Sequence, residues 1–464
     1  MPPMNNSVAP FALIARWLLL AILFVMPWLH GAERSWEQLV VAGCILVATV
    51  LMLSDKRALS ALPTGTLLIV LLFGIWLLYS LVYLVPLPLS WMASISPNTY
   101  AWYSQNTTQN TGYLSLYRQA SLVELFKYAG LVALFLLISR LFKTADRIRG
   151  LCRAVVTIGS VTAVYSLINF VTGGAMEWVS AIPPWDLSWH KGIRGTFSYK
   201  NQYAMYMVIC ILLTSGLLFD HQRTVGYKRL TSKGVFYLAC LILLVATVLN
   251  TSSRGALVSL FAGSVAVTVL YLVRQPMLLK RWLKPKILAL ITVFTILLAV
   301  AFSQSAVYQR FSEQKMEDNG RALLRSTVVE VINDYPAFGT GPGTYPFIQH
   351  NYKPIELGNT QMSKRAHNDY LETVATQGAL GFMLLAVPIG LMMIRLFRQY
   401  SDSPLTGLLL ACQASVIAYL VQAAIDVNIG VYLLPVHFIV VLSAGWVIGH
   451  ILGQQVPANN SLEL

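Results

Sequence analysis

Apolar residues in this chain gather into runs of about 20, the length that crosses a bilayer as a helix, separated by short polar connections. Twelve runs stand out, near 11–29, 38–54, 66–86, 120–142, 150–172, 201–220, 235–251, 255–274, 286–305, 371–397, 405–425 and 431–451. The pattern predicts an all-α, polytopic membrane protein of about twelve transmembrane helices, with a long outer segment, 306–370, before the tenth. Residues 1–149 hold the first four helices and the first outer loop, 150–451 the remaining helices, and 452–464 a tail. The first run reads as a retained helix. Met1 to Pro10 has no basic residue, Arg16 interrupts the run, and no small-residue cleavage site follows cleanly.

Composition agrees with the runs. Of the 464 residues 56% are hydrophobic and 11% charged, against about 25% charged in a soluble domain, so no large water-soluble domain is expected. The net charge of +14 admits a nucleic-acid reading until the basic residues are placed on the loops. With the N-terminus in the cytoplasm, the inner connections carry Lys56 and Arg57, then Arg140, Lys143, Arg147 and Arg149, then Arg223, Lys228, Arg229 and Lys233, then Arg274 to Lys286, then Arg395 and Arg398. The short outer loops carry only Arg34 and Arg254. Both termini are therefore expected in the cytoplasm, with the longer segments 87–119, 173–200 and 306–370 outside. The charge is topology, and no nucleic-acid partner is expected. Cys44, Cys152, Cys210, Cys240 and Cys412 all fall in apolar runs without metal spacing and read as packing residues.

The outer segments are rich in Trp, Tyr, Asn, Gln, Ser and Thr. Such surfaces suit carbohydrate, but an interfacial aromatic belt with Trp91, Trp102, Trp178, Trp185 and Trp189 at headgroup depth explains most of these residues by itself. Ionisable residues near a bilayer are costly and hence informative. They cluster on the outer side at 190–206, 250–259, 319–331 and 364–381. In the last cluster Arg365, His367, Asn368 and Asp369 precede the tenth span. Histidine exchanges protons near neutral pH, and a helix starting near His367 would put it on one face with Leu371 and Val374 or Ala375, with Asn368 and Asp369 at capping positions. Arg254 sits in a tight turn of small residues, Thr251 to Gly255, where its planar fork and the following helix N-terminus both favour an anion. Arg194 and Arg321 lie on the same side, with Lys200, Asn201 and Arg325 close in sequence. The three arginines resemble a clamp for a pyrophosphate, or alternatively an anchor for lipid headgroups. Asp426 and Asn428 either line the same cavity or cap the last helix. GTGPGTY at 339–345 lacks the Lys-Ser/Thr end of a phosphate loop and reads as a turn. DxD and HExxH are both missing, so catalysis is expected without a coordinated metal, and no cofactor is expected.

These clusters resemble the bacterial O-antigen ligase and polymerase superfamily, membrane glycosyltransferases whose shared domain ends in HN-x-x-L followed by G-x-x-G. Here those elements are HNDYL at 367–371 and GALG at 378–381. They follow, in order, an R-G-T-F element reaching from Arg194 to Asn201, an S-R-G-A element from Ser253 to Ala256, a G-R pair at Gly320 and Arg321, and P-x-x-G-x-G from Pro336 to Gly341. The resemblance covers roughly 150–440, and the N-terminal third carries no matching motif.

The resemblance implies transfer of a saccharide from an undecaprenyl-pyrophosphate carrier to an acceptor sugar, lipid A-core for a ligase or a lipid-linked glycan for a polymerase. The reaction would take place on the periplasmic face of the inner membrane, among membrane lipids. It implies His367 as base or acceptor-orienting group, positioned by Asn368 and Asp369. It also implies Arg194, Arg254 and Arg321 on the pyrophosphate, Lys200, Asn201, Arg325, Arg365 and Asp426 in support, and inversion at the anomeric carbon. The rival from another class is a transporter or lipid flippase. A carrier needs polar sites near the bilayer midplane, where only Lys127 and Arg153 stand out, whereas the anion-binding candidates gather at one face.

Overall fold

A computed structural model of the chain describes residues 10–54, 62–174, 193–226, 229, 231–275, 277, 315–353, 365–400 and 402–455. Its helices are α1 Pro10–Val25, α2 Ser35–Leu53, α3 Thr66–Val82, α4 Leu89–Ile95, α5 Pro97–Asn106, α6 Arg118–Leu141, α7 Ala145–Val171, α8 Lys200–Val225, α9 Ser232–Thr251, α10 Arg254–Arg274, α11 Lys315–Asp334, α12 Tyr345–Ile348, α13 Asp369–Arg398, α14 Thr406–Ile425 and α15 Leu433–Gln455. Among the described residues, ten helices are long and apolar enough to cross a membrane, and α3, with 17 residues, is a shorter apolar helix. These match eleven of the expected spans. The remaining one, 286–305, lies outside the described residues. Within the segment 87–119, α4 and α5 are joined to a two-residue antiparallel ladder pairing Leu87 with Gly112 and Pro88 with Thr111. Trp91 and Trp102 are exposed there, as a belt requires; Trp178, Trp185 and Trp189 lie outside the described residues.

Helices that are apolar on every face belong in the middle of a bundle, and α8 and α15 take that place, buried along most of their length beside α14. Gly216 and Gly407 let α8 and α14 touch backbone to backbone: a Cβ on Gly216 would come within 2.5 Å of the Gly407 carbonyl oxygen. Gly263 does the same for α10 against Ala414. Close approach of this kind substitutes for the hydrophobic effect, which drives little association inside lipid. Because successive spans alternate in direction, the starts of α8, α10, α13 and α15 and the end of α14 meet at one end of the bundle.

The helix α13 is broken near that end. Gly378 has φ 68° and ψ 175°, a conformation open essentially to glycine alone, and the backbone groups it frees are taken up by the 336–341 loop. Thr340 N–H donates to Ala375 O at 3.1 Å and Gly341 N–H to Thr376 O at 2.8 Å, while Ala379 N–H donates to Pro336 O at 2.9 Å and Leu380 N–H to Ala337 O at 3.3 Å. The carbonyl of Gln377 accepts from the hydroxyls of Tyr79 in α3 and of Tyr83, the C-cap of α3, at 2.7 and 2.9 Å. These five groups thus have partners, as burial demands. Asp369 to Gln377 form a separate half-helix. The turn-rich reading of 339–345 holds, and GALG is explained as a break point.

A methyl group on Gly378 would meet the Ala337 carbonyl oxygen at 2.0 Å as well as an unfavourable φ. Gly378→Ala is therefore expected to cost at least about 3 kcal/mol, read as a lowered melting temperature or loss of monodisperse protein. Gly74→Ala, where nothing lies within 4 Å, is the control and leaves both unchanged.

Candidate functional site

The half-helix fixes the segment that carries His367. Asn368 is its N-cap, with Oδ1 accepting from Leu371 N–H at 3.0 Å and Nδ2 donating to Ala424 O at 3.0 Å, one of the last carbonyls of α14. Glu372, 3% exposed, reaches back to accept from Ala366 N–H at 2.9 Å and from the Arg365 guanidinium at 2.7 Å. Between these two restraints His367 takes φ 52°, a left-handed conformation rare outside glycine. The expectation that His367 starts the helix and shares a face with Leu371 and Ala375 is therefore corrected. The helix begins at Asp369 and His367 turns out of its line, because its backbone is spent on the turn that presents the ring.

The ring meets Asp426. Nδ1 lies 3.1 Å from Asp426 Oδ1, and with an ionised carboxylate opposite it Nδ1 is the protonated nitrogen, leaving Nε2 as the lone-pair nitrogen of the neutral ring. Asp426 is the C-cap residue of α14, 1% exposed. It accepts from Val427 N–H at 3.0 Å and from Asn201 Nδ2, receives the Tyr199 hydroxyl at 3.3 Å, and lies 3.8 Å from Arg321 Nη2. Burial alone would push its carboxyl up. The hydrogen bond from His367, the charge of Arg321 and the Asn201 amide outweigh that and hold it below the ordinary carboxylate range.

Tyr199 completes the cluster. Its oxygen accepts from Asn201 Nδ2 at 2.7 Å and from Arg321 Nη2 at 3.1 Å, and its ring stands edge-on to His367 with centroids 6.1 Å apart. Asp369 serves differently from expectation. Its buried carboxylate accepts from Asn428 N–H at 2.9 and 3.2 Å, so it holds the turn that contains Asp426 and has no contact with the imidazole. Asn428 Nδ2 donates to Tyr419 O at 3.0 Å, and neither Asp426 nor Asn428 caps the last helix, which begins at Leu433.

Arg194 and Arg254 are brought to the same end, in adjoining turns. Ile193 N–H donates to Asn250 O at 3.3 Å, and Gly255 packs on Gln422 and Ile425, in the last turn of α14 before Asp426. Ser253 N-caps α10 by accepting from Ala256 N–H. Arg325 lies one turn after Arg321 on α11, and Lys200 opens α8. Arg365 is engaged with Glu372, away from the histidine. Sequence reasoning missed Tyr199 and Glu372. Tyr199 sits inside the R-G-T-F to Asn201 element and Glu372 directly follows HNDYL, so adjacency to the motifs was the available signal.

Residues 239–386 match the family model described as O-antigen ligase. This part of the chain is an O-antigen ligase-family domain. It contains Arg254, Arg321, Arg325, Arg365 and His367 to Asp369, whereas Arg194, Tyr199, Asn201 and Asp426 lie beyond it. No curated protein matches the chain. The chain is thus a multi-pass membrane protein that carries an O-antigen ligase-family domain, which supports a function of ligase or polymerase type in surface polysaccharide assembly.

Two measurements probe the cluster. Asp426→Ala leaves His367, Arg321 and Asn201 without their shared acceptor, and should destabilise the protein by about 3 kcal/mol or more; His367→Ala, at the partly exposed edge, should cost about 1 kcal/mol, both read by thermal melting. Asp426 has a lowered folded-state pKa, so its stabilisation is complete above its ordinary value of 3.8 and is lost as pH falls through the lowered one. The melting temperature of the wild type should therefore carry an acid-side loss below about pH 4 that Asp426→Asn lacks.

Proposed function

We propose that the chain is a membrane glycosyltransferase that moves a glycan from an undecaprenyl-pyrophosphate carrier to an acceptor saccharide on the periplasmic face of the inner membrane. The observation that carries the reading is the His367–Asp426 pair standing at one end of the bundle beside Arg321, with Arg194 and Arg254 in the neighbouring turns. In this reading both termini are cytoplasmic.

The acceptor hydroxyl attacks the anomeric carbon as the bond to the polyprenyl pyrophosphate breaks. His367 Nε2 takes the hydroxyl proton, and the Asp426 carboxylate stabilises the imidazolium that forms. The leaving pyrophosphate gains charge as the bond breaks, and Arg194, Arg254 and Arg321 neutralise it there, supplying the stabilisation that a metal ion gives in other transferases. Tyr199, sharing Arg321 and Asp426, fixes the distance between the proton acceptor and the cationic side. Direct displacement inverts the anomeric configuration. Lys200 and Arg325 extend the positive field around the donor. A ligase and a polymerase share this chemistry and differ in the acceptor.

The test is transfer by the purified full chain from a native undecaprenyl-pyrophosphate glycan, with EDTA present. Lipid A-core is the acceptor in one reaction and a second lipid-linked repeat in another. Capped lipid A-core alone identifies a ligase, and a ladder of lengthened lipid-linked chains a polymerase. His367→Ala should lower the turnover by about a hundredfold or more with melting little changed, and Tyr199→Phe should raise the donor KM more than it lowers kcat. Absence of product in both reactions, with the lipid crossing proteoliposome membranes, sinks the transferase reading.

A further inference from the structure

We propose that the opposite end of the bundle carries a phosphate-binding site, independent of the transferase reading. A cavity of about 560 Å³ opens there between the first turns of α7, the last turns of α8, the start of α9 and the 403–405 turn that leads into α14. Arg149 and Arg153 enter it from α7, His221 from α8 and Lys233 from α9, with Tyr237 and Ser403 adding hydroxyl groups.

The acidic residues at this cavity are themselves engaged and offset only part of its positive charge. Both oxygens of Asp220 are used by α14, accepting from Gly407 N–H at 2.6 Å and Leu408 N–H at 3.0 Å. Asp146, with 94% of its side chain exposed, stands toward water and pairs with Arg149 at 3.4 Å. Arg149 also donates to Pro404 O at 2.9 Å, which fixes its guanidinium at the rim instead of leaving it to trail in solvent. His221 is held through Nε2 by the Thr231 hydroxyl. Arg153 and Lys233 are exposed and stand on different helices facing one concavity.

An excess of Lys and Arg at this end is what membrane orientation requires, and loop charges satisfy that requirement anywhere. Convergence of four basic side chains from three helices on one hollow is an additional feature, and it has the form of the basic inter-helical pockets that hold phosphate headgroups. The group it fits is a phosphate monoester or diester. Beside the cavity α9 presents Val235, Phe236, Leu238 and Ile242 outward, a surface for the acyl chains of an anionic phospholipid. A free phosphate compound is the other source of the same chemistry.

The test uses the full chain in detergent, titrated with phosphatidylglycerol or phosphatidylcholine and read by native mass spectrometry. The wild type is expected to retain phosphatidylglycerol over phosphatidylcholine. Arg153→Gln with Lys233→Gln should weaken that retention by about tenfold or more. Arg229→Gln with Arg398→Gln, exposed basic positions outside the cavity, should match the wild type. Displacement of the lipid by millimolar inorganic phosphate would assign the site to a free phosphate compound, and persistence of the lipid would assign it to a headgroup. Equal retention by all three proteins, or equal loss in both double variants, would overturn the site and leave the charges to topology alone.

Discussion

A carboxylate that is 1% exposed at the rim of a membrane bundle is the constraint around which that end of the bundle is arranged. Removing such a charge from water costs several kcal/mol unless its oxygens are fully engaged, and Asp426 is engaged from four directions. The 199–201 turn supplies Tyr199 and Asn201, α11 supplies Arg321, the segment before α13 supplies His367, and its own chain supplies Val427 N–H. Motifs scattered over more than 200 residues are thus gathered by one requirement for charge compensation. The same arrangement orients the imidazole, so what stabilises the fold at this point also sets the geometry available for chemistry.

The second constraint is the break at Gly378. A continuous α13 would keep its own hydrogen bonds and leave Thr340 N–H, Gly341 N–H, Pro336 O and Ala337 O without these partners. The break exchanges those bonds between helix and loop, and it needs glycine at both contact points, Gly339 lying against Thr376 as Gly378 lies against Ala337. The tyrosines of α3 then fill the remaining acceptor. Trp76 Nε1 adds a bond to Gln377 Oε1 at 2.8 Å, and Gln377 Nε2 donates to Tyr128 OH at 3.0 Å. Helices of the N-terminal third, which carry no motif, therefore support the half-helix from behind.

Much of this was legible in the sequence, and the limits have physical causes. Spans were readable because a bilayer imposes length and apolarity directly on local sequence. The His367, Arg321 and Asn201 candidates were readable because charge and amide groups near a membrane are expensive. Asn368 as a cap followed from its residue type. The partner of His367 was not legible: Asp426 lies 59 residues away, and only the antiparallel docking of α13 on α14 brings it close. Asp369 was given the wrong neighbour for the same reason, since adjacency in sequence does not decide which way a side chain points at the first turn of a helix. Lys127, which stood out as a mid-span charge, is answered locally by Glu124 at 2.6 Å, three residues earlier on the same helix.

The bonds between α3 and α13 join residues about 300 positions apart, 301 for Trp76 with Gln377 and 298 for Tyr79 with its carbonyl. A chain entering the membrane from its N-terminus inserts α3 early and holds its tyrosines without partners until the last third has been synthesised. Pairing over such a separation carries a large closure entropy and comes late in assembly. The half-helix before Gly378, and with it the turn that orients the His367 ring, is thus set only when insertion is nearly complete, so a partly inserted chain carries the turns of Arg194 and Arg254 before the His367 turn is fixed beside them.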